Sequence, residues 1–171
     1  ETLSSELLDN FATDRQSRGE WAKSYVKGLD LLGMKIEERQ QPWSGASGVF
    51  HPVLTESIVR FQAQAMGEIF PASGPVRTKV MGKQSKEKME QANRVESEMN
   101  YLLTEEMTEY RDETEQMLFK LPLAGSAFKK VYYDPILERP CAMFVPAEDF
   151  VVSYGATDLM SCIRYTHVMK K

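Results

Sequence analysis

Two hydrophobic periods run along this chain, and the change between them falls near residue 125. Before it, apolar residues recur with helical spacing. Trp21, Tyr25, Leu29 and Leu32 follow one another at intervals of four, four and three, which puts them on one helical face. The pattern predicts a helix over residues 14–33, with Asp14 as N-cap and Gly33 as the stop. A weaker helical stretch over 6–11 precedes it, and Gly28 interrupts the pattern. A charged connector follows over 35–41. Residues 42–52 hold two glycines, two serines and flanking prolines, so they are predicted as a loop. Trp43 and Phe50 are large apolar groups in that loop, which implies packing against something. A second helix is predicted over 53–70, with Leu54, Ile58, Phe61, Ala65, Met66 and Ile69 as its stripe. Pro52 sits where its missing N–H does no harm, and Pro71 ends the helix.

Residues 76–81 alternate in the strand manner and Gly82 closes them. A long helix is then expected over 85–110, its stripe being Met89, Ala92, Val95, Met99, Leu102, Leu103 and Met107. Residues 112–115 read as a capping box that opens another helix carrying Met117, Leu118, Leu121 and Leu123. After Gly125 the period becomes two. Strands are predicted over 128–133, 141–145, 150–152 and 163–169, with a turn at Asp134-Pro135 and a loop or helical turn over 155–158. The order predicts an α+β fold, several amphipathic helices followed by a small, mainly antiparallel sheet. It forms one region in three parts: helices and loop over 1–74, a strand with acidic helices over 75–126, and the sheet over 127–171. A chain that stops within a strand reads as a fragment.

Composition changes this picture little. At 171 residues, 42 % hydrophobic and 27 % charged, the chain can bury a core without disulfides or metal. A net charge of −4 argues against a surface that grips nucleic acid throughout, but not against a channel that DNA slides through. Residues 85–119 hold ten acidic against four basic residues, a balance of −6, read as a solvated face. No apolar run is long enough for a membrane helix, and no signal peptide is seen. Ten methionines are read first as adaptable core filling, with repacking at subunit interfaces as the alternative.

Candidate chemistry is sparse. Cys141 and Cys162, each in a strand-like context, read as reduced, half-buried thiols. The histidines, His51 and His167, lie far apart, and Cys162 and His167, five apart, would face opposite sides of a strand. No nucleophile elbow or phosphate loop occurs, since residues 45–48 lack the lysine. Glu148-Asp149 reads as a turn rather than a metal site. Lys129 and Lys130 are read as a solvated sheet edge that discourages pairing. The residues thus point to a structural or binding role, with no cofactor, no metal and no catalytic residue expected.

The succession of segments resembles the N-terminal portion of portal proteins of tailed bacteriophages, the podovirus-type head-to-tail connector. The resemblance rests on Trp21-x-x-x-Tyr25-x-x-Gly28-Leu29-Asp30-Leu31-Leu32-Gly33, on Pro42-Trp43-Ser44-Gly45 running to His51-Pro52-Val53-Leu54-x-Glu56, and on Phe61-Gln62-Ala63-Gln64-Ala65 followed by Phe70-Pro71-Ala72-Ser73-Gly74-Pro75. It continues through Leu121-Pro122-Leu123-Ala124-Gly125-Ser126-Ala127-Phe128-Lys129-Lys130 and Phe144-Val145-Pro146-Ala147-Glu148-Asp149-Phe150 to Thr166-His167-Val168. No piece is a strong signature alone; their order spans nearly the whole chain. The resemblance implies the wing region of a homo-oligomeric, dodecameric ring at one capsid vertex of the virion, assembled in the bacterial host. It implies a passive channel for genome packaging and ejection, with stem, clip and crown outside this chain. The implied partners are neighbouring copies, the terminase large subunit, major capsid and scaffolding proteins, a head-completion or tail adaptor, and double-stranded DNA in non-specific passage, with no membrane. Candidate interface residues are Trp43, Phe50, His51 and Phe61. The rival readings are a non-enzymatic adaptor that binds a partner through its acidic helix, and a hydrolase using Cys162, Cys141 or His51.

Overall fold

The structure is a computed structural model and describes residues 2–33, 43–46 and 51–169. Among them, five α-helices precede two small antiparallel sheets, an α+β arrangement as the periodicity predicts. Helix α1 is Leu3–Ser17, α2 Gly19–Leu32, α3 Val53–Ile69, α4 Lys86–Tyr101 and α5 Glu109–Ala124. Strands β1 (Phe128–Asp134) and β2 (Arg139–Val145) form one hairpin. Strands β3 (Phe150–Val152) and β4 (Tyr165–His167) form a second sheet instead of extending the first. The connector over 35–41 and residues 42 and 47–50 of the loop lie outside the described residues.

The core gathers where α2 meets α5 and the segment between the sheets. Trp21 and Tyr25 stack at 5.2 Å, and Tyr25 is buried with Ala124 and Ala147. The Trp21 indole donates to Ala124 O at 2.9 Å, which satisfies its only polar atom inside an apolar cluster. At Gly28 a Cβ would lie 2.8 Å from Leu123 Cδ1, so the bare backbone leaves room for the end of that side chain where α2 meets α5. On α3, Ile58 is 1 % exposed and anchors the helix, whereas Phe61 and Ile69 lie outside the buried face. Helix α3 packs against α5, and there Gln62 donates to Glu115 O.

Several local expectations are overturned by tertiary partners. The first helix begins at Leu3 and breaks at Arg18, so Asp14 is not an N-cap. Asp14 is 3 % exposed and accepts two bonds from the Arg164 guanidinium, at 2.7 and 2.9 Å. Arg18 sits at the break because its guanidinium donates to Ala147 O, Phe150 O and Glu148 O. The long helix ends at Tyr101 in a π-helical turn over Leu102–Glu106, and α5 starts at Glu109. Residues 112–115 therefore lie inside α5, and no capping box forms there. The last strand spans only Tyr165–His167. The stripe of α4 is left uncovered, with Met89, Val95 and Met99 all exposed.

Residues 76–81 are not a laddered strand. Val76 N–H donates to Asn100 Oδ1 at 2.9 Å and Val76 O accepts from Asn100 Nδ2 at 3.1 Å. Thr78 N–H donates to Glu96 Oε2 at 2.9 Å. One amide and one carboxylate of α4 thus take the place of a partner strand. Gly74 permits this twice over: its φ is +95°, and a Cβ would lie 2.6 Å from the Asn100 amide.

The same device fixes the hairpin to α5. Glu109 Oε1 accepts from Ala142 N–H at 3.4 Å and from Arg139 at 2.9 Å, and Glu113 Oε2 accepts from Phe144 N–H. Glutamates four apart on a helix rise about 6 Å. Residues two apart on a strand rise about 6.6 Å. The two combs match, so part of the acidic run faces the sheet rather than solvent. The Arg139 bond holds the Glu109 carboxyl below its usual range.

Two outcomes follow. Glu113→Ala should cost about 1–2 kcal/mol, the scale of a lost charge-assisted bond to a half-buried amide, and amide hydrogen exchange should accelerate at Phe144 ahead of its neighbours. Arg164 holds the Asp14 carboxyl below its ordinary 3.8, so this pair stabilises above that pH and is lost as pH falls through the lower folded value. Asp14→Asn should therefore weaken the protein by about 1–3 kcal/mol at pH 7 and by much less at pH 2, as read from urea melts at the two pH values.

Candidate subunit interface

Among the described residues, exposed large apolar side chains are the dominant feature of the surface. The hairpin and the segment between β3 and β4 carry nine of them, including the three most exposed, Met160, Ile136 and Ile163. Helix α5 packs over β2 and leaves β1 overhanging. Val131 is 67 % and Tyr133 63 % exposed as a result. At the hairpin tip, Asp134 Oδ1 accepts from Ile136 N–H at 2.8 Å and Leu137 N–H at 3.3 Å. This turn, closed by Glu138 at φ +51°, pushes Ile136 outward to 89 % exposure. Beyond β3, Tyr154, Met160, Ile163 and Tyr165 are exposed as well.

The two basic residues of β1 divide as strand alternation requires. Lys129 turns toward α5, where Nζ donates to Thr114 Oγ1 at 2.6 Å and lies 4.1 Å from the Tyr110 ring centre. Burial lowers its pKa. Its expected place on a solvated edge is thus corrected: Thr114 and Tyr110 draw it inward. Lys130 lies over the Tyr132 ring at 5.2 Å. It also lines a cleft of about 710 Å³ with Phe128, Phe150, Leu159, Tyr165 and His167. The cleft joins the base of β1 to the exposed segment before β4.

The sequence-derived interface residues are scattered by comparison. Trp43 is 68 % exposed in a short turn, so it does not cap the chain's own core. His51 is exposed just before α3, and Phe61 is exposed on α3 about 12 Å along the axis from Val53. Phe50 lies outside the described residues. The hairpin surface was missed because alternation alone cannot say which of two apolar faces is covered. The available signal was Ile136-Leu137, two large apolar residues in a tight turn.

Of the thiols, Cys141 is buried in β2 and pushed up by that burial. Cys162 lies in a loop rather than a strand. Its Sγ is 3.4 Å from Ser153 Oγ and 2.7 Å from Arg164 O, and the Ser153 contact lowers its pKa. The Tyr25 hydroxyl is held far above its usual range, first by burial and then by the adjacent Glu148 carboxylate. Among the described residues no three His, Cys, Asp or Glu side chains cluster so as to hold a metal ion. No helix there is long and apolar enough to cross a membrane.

Neither a protein-family model nor a curated protein sequence matches the chain.

Because Trp43 and Phe61 are exposed, Trp43→Ala and Phe61→Ala should each change stability by no more than about 0.5 kcal/mol, measured by thermal melts. A larger loss would assign the side chain to its own subunit's packing. Normal self-association of both variants in sedimentation velocity would remove them from the interface.

Proposed function

We propose that this chain is the wing region of a ring-forming portal subunit, a non-enzymatic conduit for genome passage and a platform for head-to-tail joining. The observation that carries the reading is the amount of large apolar surface left bare on ordered elements: the α4 stripe, the overhanging β1 and the segment before β4. Bare surface on this scale marks contact with another protein. A subunit that meets two neighbours in a ring must present two such surfaces. The ordered succession of portal-like segments supplies the rest of the argument. The partners that go with this reading are neighbouring copies, the packaging terminase, capsid, scaffolding and tail-adaptor proteins, and duplex DNA in transit.

The acidic balance suits such a role. Three carboxylates of the acidic run, those of Glu96, Glu109 and Glu113, bind the chain's own backbone. Glu87, Glu90, Glu98 and Glu106 remain exposed, and turned toward a duplex they would repel it rather than hold it.

A second reading, an adaptor that captures one partner on α4, is favoured by one observation. Among the described residues, Met89, Val95 and Met99 form an exposed apolar stripe along α4.

Negative-stain electron microscopy of the purified protein that contains this chain separates the two. Rings with a central hole are the expected result. A uniform monomer or dimer that stays so when scaffolding or capsid protein is added would overturn the ring and leave the adaptor.

A further inference from the structure

The hairpin has two edges, and the chain treats them differently. Ala142 and Phe144 point their N–H groups away from β1, toward Glu109 and Glu113. The third outward position on β2 is Pro140, which has no N–H. Every outward donor of β2 between Pro140 and Phe144 is therefore either capped or absent.

The register makes Lys129, Val131 and Tyr133 the partners of Phe144, Ala142 and Pro140. In an antiparallel ladder, residues opposite one another turn their backbone groups the same way, inward or outward. The N–H and C=O groups of Lys129, Val131 and Tyr133 thus face away from β2. Among the described residues no backbone bond outside the ladder reaches them. This is an open edge about three donor–acceptor sets long, flanked by exposed Val131 and Tyr133.

The same chain carries a second open edge. Val76 and Thr78 turn their backbone groups to Asn100 and Glu96. In an extended segment, Arg77, Lys79 and Met81 must then turn theirs the other way. Among the described residues no backbone bond reaches these three either. The burial of 76–81 alternates residue by residue, which keeps 77, 79 and 81 on the outside.

We infer that residues 76–81 of one copy add antiparallel to β1 of the next, extending its hairpin to three strands. Two different edges on one chain give a head-to-tail contact, the type that closes into a ring where the rotation between copies allows it and otherwise runs on as a filament. Backbone ladders of this kind are an established way of adding a strand to a bare sheet edge. The register that pairs the outward sets puts Arg77 opposite Tyr133, Lys79 opposite Val131 and Met81 opposite Lys129. Between them, Val80 falls opposite Lys130 and Val76 opposite Asp134. No two like charges face each other directly. Arg77 gains the Tyr133 ring. The inference deepens the ring reading by naming the surfaces that join, and it fails separately from it.

The test uses the purified protein that contains this chain. In Val131→Pro the lost N–H points outward, so the β1–β2 ladder is spared, whereas in Lys130→Pro it points inward and the hairpin breaks. Val131→Pro should therefore keep its circular dichroism and lose ring assembly about tenfold or more at equal concentration, the effect of removing an edge donor and fixing φ. Lys79→Pro should do the same from the other side. Independently of folding effects, Val131→Cys and Lys79→Cys should be mixed as two separately purified single variants. Opposed residues of an added strand lie about 5.5 Å apart at Cα, within disulfide reach. Mild oxidation should give a heterodimeric crosslink from the mixture that neither variant gives alone. Rings that assemble normally from Val131→Pro, or a mixture that gives no crosslink above the singles, would overturn edge pairing while leaving the ring in place. A crosslink without rings would keep edge pairing and remove the ring.

Discussion

Glu109 and Glu113 stand one turn apart on α5, and each accepts a backbone N–H from β2. The C-terminal half of the molecule hangs on this match between helical rise and strand rise. A two-stranded hairpin is marginal in water, and this one gains its third side from a helix. Net bonds to charged acceptors contribute about 1.5–3 kcal/mol each in sheltered settings. The Arg139 side chain closes the set by neutralising Glu109. With β2 so fixed, Cys141, Ala142, Phe144 and Val145 are buried.

The same solution recurs at other extended segments. Asn100 and Glu96 serve residues 76–78, and Arg18 gathers three carbonyls between β2 and β3. Asp14 accepts from Tyr154 N–H and from Arg164, which fastens α1 to the segment before β4. Buried backbone groups must be paired with something, and here long polar side chains on helices do much of it. This explains an acidic, lysine- and arginine-bearing sequence that nonetheless holds its β segments in place.

Covering edges from one side leaves the other side bare. Helix α5 shields β2 and not β1; α4 shields one edge of residues 76–81 and not the other. The exposed Val131, Tyr133, Ile136 and the α4 methionines follow from this one-sidedness.

Local pattern fixed a good deal. The α3 span, the first three strands and the turn at Asp134 could be read from residue spacing, proline punctuation and alternation, because each depends on neighbours within a few positions. The α+β order came from the same signals. Partners distant in sequence decided the rest. Asp14 looks like an N-cap until Arg164, 150 residues on, takes it inside. The box over 112–115 looks like a helix start until Glu113 is drawn to Phe144. Lys129 looks like edge protection until Thr114 receives it, and residues 76–81 look like a strand until α4 supplies the partners of their inner backbone groups. A side chain's chemistry is written in the sequence. Whether it turns to water, to its own helix or to a distant backbone amide is decided by which group the fold leaves unpaired within its reach, and that is a property of the tertiary structure alone.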